Sequence, residues 1–105
     1  MNLNEYQDLA AKTAGSHFSH EQALCNWVMG LCGEAGEFTE LIKKELFHGR
    51  IITSEEKVKE LGDVLWYLAM CAKESGFTLD YIAERNITKL SERYPDKFTL
   101  GGGIR

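Results

Sequence analysis

The sequence predicts an all-α domain of four helices, and three observations lead to that expectation. Apolar residues recur three and four apart along most of the chain, as one face of a helix requires, and nowhere alternate with the period of two of a half-buried strand. Proline occurs once, at Pro95, so no helix before it is broken from within. Ser19, Thr53 and Thr78 each stand before such a periodic run and offer the side-chain oxygen that caps a helix N-terminus.

The first helix is expected over "LNEYQDLAAKTA", ending near Gly15. Ser19 opens a long second helix that runs to about Phe47, where "HGR" stops it. Thr53 or Ser54, followed by acidic residues that suit a helix start, opens a third that ends at Gly76. Thr78 caps the fourth, "LDYIAERNITKLSER", and Pro95 helps to terminate it. One domain is therefore expected over residues 1–98, followed by a flexible C-terminal tail at 99–105.

A chain of 105 residues encloses only a modest core. Its 44 % hydrophobic and 27 % charged residues exclude a disordered chain. A net charge of −4 argues against a sequence-independent nucleic-acid binder, which would carry a basic face, so no nucleic-acid partner is expected. A bound cation would still reverse the local sign for an anionic small molecule. No signal peptide and no apolar run of roughly 18 residues is visible, which predicts no membrane association and a cytoplasmic location. Cys25, Cys32 and Cys71 are odd in number, without C-x-x-C spacing, and read as reduced thiols. His17, His20 and Cys25 lack a fourth ligand at a usual zinc spacing. The third helix, "VKELGDVLWYLAMCAKE", is apolar around much of its circumference. Four helices hardly enclose such an element, so self-association into a homodimer or homotetramer is expected.

The segment "GLCGEAGEFTELIKK", residues 30–44, accepts two penalties at once. Each glycine within a helix costs about 1 kcal/mol relative to alanine, and a carboxylate against an apolar side is costly unless neutralised. Leu24, Trp27, Leu31, Phe38 and Ile42 make the apolar stripe, with Glu34 at its margin and Glu37 one turn further on. Asn26, Gly30, Gly33 and Lys44 border the side of Glu37, and the glycines are expected to leave room there for a ligand. On the third helix Leu61, Val64, Leu68 and Ala72 form the stripe. Glu60 and Asp63 lie at its margin, with Glu56 and Tyr67 in the same column.

Antiparallel packing would set the two acidic pairs face to face. Two unit charges 4 Å apart in a weakly polarising site repel by about 4 kcal/mol, and one or two hard divalent cations remove that cost. Oxygen-only ligation is what Mg²⁺ prefers, and Mn²⁺ can substitute. The alternative is a pair of ordinary solvated faces. Glu45-x-x-His48 has the spacing of a di-iron site, but that design needs two such motifs and the chain has one. On the fourth helix Asn86, Lys89 and Arg93 share a side beside Ile82 and Leu90. They are suited to phosphate oxygens, or are plain surface charge.

The stretches "GLCGEAGEFTELIKK", "KELGDVLWYLA" and "NITKLSERYP", with "NEYQ" near the start, together resemble the MazG-like nucleoside triphosphate pyrophosphohydrolases. That all-α superfamily also includes dimeric dUTPases and phosphoribosyl-ATP pyrophosphohydrolase. The resemblance implies a MazG-like bundle in which Glu34, Glu37, Glu60 and Asp63 hold Mg²⁺ ions that bind a triphosphate. It also implies that Asn86 and Lys89, with Arg93 following, contact substrate. Some relatives carry an extra glutamate just before the first motif, proposed to help activate water. Gly33 stands there in this chain, leaving the general base open between Glu34 and Glu37. The implied reaction is hydrolysis of an NTP or dNTP between the α- and β-phosphates, giving monophosphate and pyrophosphate, in nucleotide-pool housecleaning. Lys44 would join Lys89 and Arg93 in stabilising the leaving group. Asn26 lies on the substrate side, while Trp27, Trp66 and Tyr67 either stack on the base or belong to the core. The competing readings are phosphoribosyl-ATP pyrophosphohydrolase, which breaks the same bond, and a non-catalytic helical oligomerisation module.

Overall fold

A computed structural model describes residues 1–15 and 18–98, so His17 and the expected tail at 99–105 lie outside the described residues. The chain forms α1 (Leu3–Ala11), α2 (His20–Phe47), α3 (Ser54–Glu74) and α4 (Leu79–Arg93), followed by a short 3₁₀ turn at Pro95–Lys97. No strand occurs among the described residues, and the fold is all-α as expected.

Local chemistry sets the boundaries. Ser19 and Gln22 form a reciprocal capping box at the start of α2, and Thr53 and Glu56 form another at the start of α3. Thr78 accepts from the Tyr81 N–H at the start of α4. Gly49 and Gly76, at φ 67° and 86°, take the left-handed conformation that ends α2 and α3. Only α1 departs from expectation by stopping at Ala11 rather than near Gly15. The Thr13 hydroxyl donates to the Ala10 carbonyl at 2.7 Å and accepts from the Trp66 indole N–H at 2.9 Å, which turns the backbone onto α3.

The short connection after Gly49 folds α3 back along α2, and this antiparallel pair is the frame of the molecule. Helix α1 packs on α3, and α4 packs chiefly on α1. The buried core lies where α1 crosses the pair and comprises Ala10, Ala23, Trp27, Ala69, Met70, Ala72 and Leu79. It is small, and much apolar surface stays outside it. Near the α2–α3 turn Phe47 is 78 % exposed and Ile51 89 %.

Gln7 is a buried polar side chain in this core. Its Nε2 donates to the carbonyls of Ala69 and Phe77 at 3.2 and 3.1 Å, and its Oε1 accepts from the Leu79 N–H at 3.0 Å. One amide thus fastens α1 to the end of α3 and the start of α4. Gln7→Ala is expected to lower unfolding free energy by about 2 kcal/mol, chiefly through the unpaired Leu79 N–H. Urea unfolding measures this directly, and an unchanged midpoint would show that the three bonds contribute nothing.

Candidate metal centre

Glu34 and Glu37, three apart on α2, meet Glu60 from α3 because the antiparallel pairing brings those turns opposite one another. One carboxylate oxygen of each lies within 4.8 Å of the others. Glu34 Oε2 and Glu60 Oε2 are buried and have no hydrogen-bond partner. Burial pushes the Glu34 carboxyl up to about 6, helped by its hydrogen bond with Glu37 and by the charges of Glu37, Asp63 and Glu60. No lysine or arginine among the described residues forms an ion pair with these three glutamates. Two orphaned buried oxygens in an all-oxygen set fit a hard divalent cation, which would satisfy both.

Asp63 lies beside this group without joining its mutually close oxygens. It is exposed and outside the converging group, although its charge raises both Glu34 and, after burial, the Tyr6 hydroxyl.

Beside the carboxylates a cleft of about 660 Å³ runs between α2 and α3. Gly33 and Gly36 line it, and a Cβ added at either would meet nothing within 4 Å, so the α2 flank is bare there. Gly30 behaves differently from its expected role. A Cβ at Gly30 would run into the Tyr67 ring, so this glycine makes room for an α3 side chain and not for a ligand. Glu37 and Glu60 line the cleft at the carboxylates, with Lys59 one residue before Glu60, whereas Lys44, Glu56 and Arg50 lie toward the turn.

The remaining expected residues are dispersed. Trp27 is 6 % exposed, and its indole N–H donates to Glu74 Oε1 at 3.2 Å. It packs edge-on against Trp66 with centroids 5.3 Å apart, and Trp66 packs likewise on Tyr67 at 4.9 Å. Here the three aromatics are a packed cluster, with Trp27 in the core. Asn26 is exposed on α2 and faces a separate shallow groove with Cys25 and Met29. Asn86, Lys89 and Arg93 are exposed on α4, and none lines the cleft. Lys44 does line it. His20, weighed for zinc, is paired with Glu74 through Nδ1 at 2.7 Å.

Sequence reasoning missed Arg50 and Lys59. Arg50 belongs to the "HGR" that reads as a helix stop, and Lys59 adjoins Glu60 in a motif that draws the eye to its acids. Helical spacing does place Lys59 one turn after Glu56, the signal that was present.

Comparison with known proteins adds two findings. The family model described as the MazG nucleotide pyrophosphohydrolase domain matches residues 21–98, which include both acidic pairs and α4. The Gene 37 protein of Mycobacterium phage L5 is 34 % identical, with 98 % of this chain and 97 % of that protein covered. No solved structure matches significantly.

Proposed function

The chain belongs to the MazG nucleotide pyrophosphohydrolase family, and from that premise we propose that it hydrolyses a nucleoside triphosphate, NTP or dNTP, between the α- and β-phosphates. The products are the monophosphate and pyrophosphate, and nucleotide-pool housecleaning is the role proposed. The observation that supports this most is the convergence of Glu34, Glu37 and Glu60, two of them with orphaned oxygens, at the end of an open cleft.

Glu34, Glu37 and Glu60, with Asp63 beside them, would hold Mg²⁺ or Mn²⁺. When bound, the metal supplies charge neutralisation and Lewis-acid polarisation to the triphosphate. The rest falls to the chain's own groups. Gly33 and Gly36 let the phosphate chain lie close to the α2 backbone. A water oxygen bonds to a phosphorus of the α–β bridge, the bridging P–O bond breaks, and the water's proton passes to Glu34 or Glu37. Glu37 lines the cleft from which water arrives, and Glu34 converges with it one turn away on α2. Lys44 lies where pyrophosphate would depart.

Self-association into a homodimer or homotetramer is part of the proposal. It would cover Leu46, Phe47, Ile51 and Val58, all exposed, and would allow Asn86, Lys89 and Arg93 to reach a substrate in the cleft of a second copy. No helix among the described residues is long and apolar enough to cross a membrane. The proposed place of action is the cytoplasm, where nucleotides are held.

The Glu34 shift gives a pH prediction. Its proton is bound more tightly in the folded chain than in the unfolded one, so the metal-free protein draws full stability from this group below pH 4.5. That contribution is lost as pH rises through about 6. Metal binding requires the ionised form and has the opposite trend. Metal-free protein should therefore lose thermal stability from pH 5 to 7 through this group. Apparent Mg²⁺ affinity should be about tenfold weaker at pH 5 than at pH 7. Melting curves with Mg²⁺ and with chelator at each pH test both, and a pH-independent Mg²⁺ effect would remove Glu34 from the site.

The activity is tested with a panel of standard and modified NTPs and dNTPs, together with phosphoribosyl-ATP. Equal amounts of monophosphate and pyrophosphate are expected. Orthophosphate would place the cleavage elsewhere on the phosphate chain.

A further inference from the structure

The cleft that begins at the carboxylates ends in a group of cations. Lys44 lies two helical turns beyond Glu37 on α2, about 10 Å along the axis. Lys59 lines the cleft from α3, one residue before Glu60, and Arg50 comes from the connecting turn. Neither Lys44 nor Lys59 forms an ion pair among the described residues. Two carboxylates, Glu40 and Glu56, share the cleft with these cations. Glu40 pairs with Lys43 at 3.7 Å, and Glu56 belongs to the α3 cap.

Arg50 Nη2 donates to Glu56 Oε1 at 3.3 Å, with each side chain more than a third exposed. Such a pair is weak, screened by salt and readily exchanged. Glu56 does not depend on it. Its other oxygen, Oε2, accepts from the Thr53 N–H at 2.9 Å and the Thr53 hydroxyl at 3.2 Å. If Arg50 leaves, the cap bonds remain.

We propose that Arg50, Lys59 and Lys44 hold the β- and γ-phosphates, with Arg50 transferring from Glu56 to the polyphosphate when it binds. This rests on the pyrophosphohydrolase reading and adds an orientation to it. The α–β bridge lies at the carboxylate end, and the departing pyrophosphate lies toward the α2–α3 turn. The guanidinium fork suits a phosphate better than the single oxygen of Glu56 it now holds. These cations belong to the same chain as the carboxylates, whereas those of α4 do not line this cleft.

The test is calorimetric titration of inorganic pyrophosphate into the Mg²⁺-saturated full chain. Arg50→Gln and Lys59→Gln should each weaken binding about tenfold, with Arg50→Lys losing less, while Mg²⁺ binding without pyrophosphate stays unchanged. Wild-type affinity in both glutamine variants, or no pyrophosphate binding by the wild type, overturns the proposal. The two readings fail separately. If the glutamine variants lose pyrophosphate binding but the wild type releases none from any NTP, the cationic end stands and the enzymatic reading falls. If NTPs are turned over and the variants bind pyrophosphate normally, the reverse holds.

Discussion

Replacing Glu37 or Glu60 by glutamine is expected to lower kcat/KM about a thousandfold while making the metal-free protein more resistant to heat. Glutamine keeps the size of glutamate but not its charge, and it exchanges one accepting oxygen for a donating NH₂. In the metal-free protein Glu34, Glu37 and Glu60 converge within 4.8 Å, so removing one charge relieves on the order of 1 kcal/mol of repulsion after screening by solvent at exposed Glu37. The same charge is what a divalent cation needs. Activity down with stability up in chelator is thus the signature of a site, because a damaged fold loses both. Circular dichroism melts in EDTA, paired with turnover in Mg²⁺, separate the two cases. Normal hydrolysis by both variants would remove the carboxylates from the reaction. Asp63→Asn belongs in the same series. A loss as large as that of Glu60→Gln would show that the metal draws Asp63 into the group.

Gly30→Ala is expected to destabilise the fold by about 3 kcal/mol, against the ordinary helix preference for alanine. The Tyr67 ring occupies the place the new methyl would take, and that ring is wedged against Trp66. Relief requires the Tyr67 ring to leave its place against Trp66 or α2 and α3 to separate, and the latter also spreads Glu34 and Glu37 from Glu60. Gly33→Ala and Gly36→Ala are the controls. Their methyl groups meet nothing, so each should stabilise the helix by up to about 1 kcal/mol while narrowing the cleft. Urea unfolding of the three variants reads the contrast. Equal effects in all three would mean that the Tyr67 contact does not hold in solution.

Helix existence and start were legible because Ser19, Thr53 and Thr78 supply local chemistry that neighbouring residues reveal. The end of α1 was not legible, since the Thr13 hydroxyl is recruited by Trp66, distant in sequence. Helical spacing placed Glu34 and Glu37 correctly on one flank and Glu60 on another. The absence of Asp63 from the converging group depends on how the pair rotates, which spacing does not state. The three glycines look alike in the text, yet only packing distinguishes Gly30, against a ring, from Gly33 and Gly36, against open space. Arg50 and Lys59 come together only when the turn folds α3 back on α2. Conversely, Asn86, Lys89 and Arg93 share a side of α4 as their spacing requires, but that helix packs chiefly on α1.

The most direct test of the metal-dependent reading is a single assay on the wild-type chain with the best nucleotide of the panel. Pyrophosphate and monophosphate are followed in Mg²⁺, after chelation, and after Mg²⁺ is restored. Equal release of both products in Mg²⁺, none in chelator, and recovery on restoration are expected. Release that continues unchanged in chelator would contradict it.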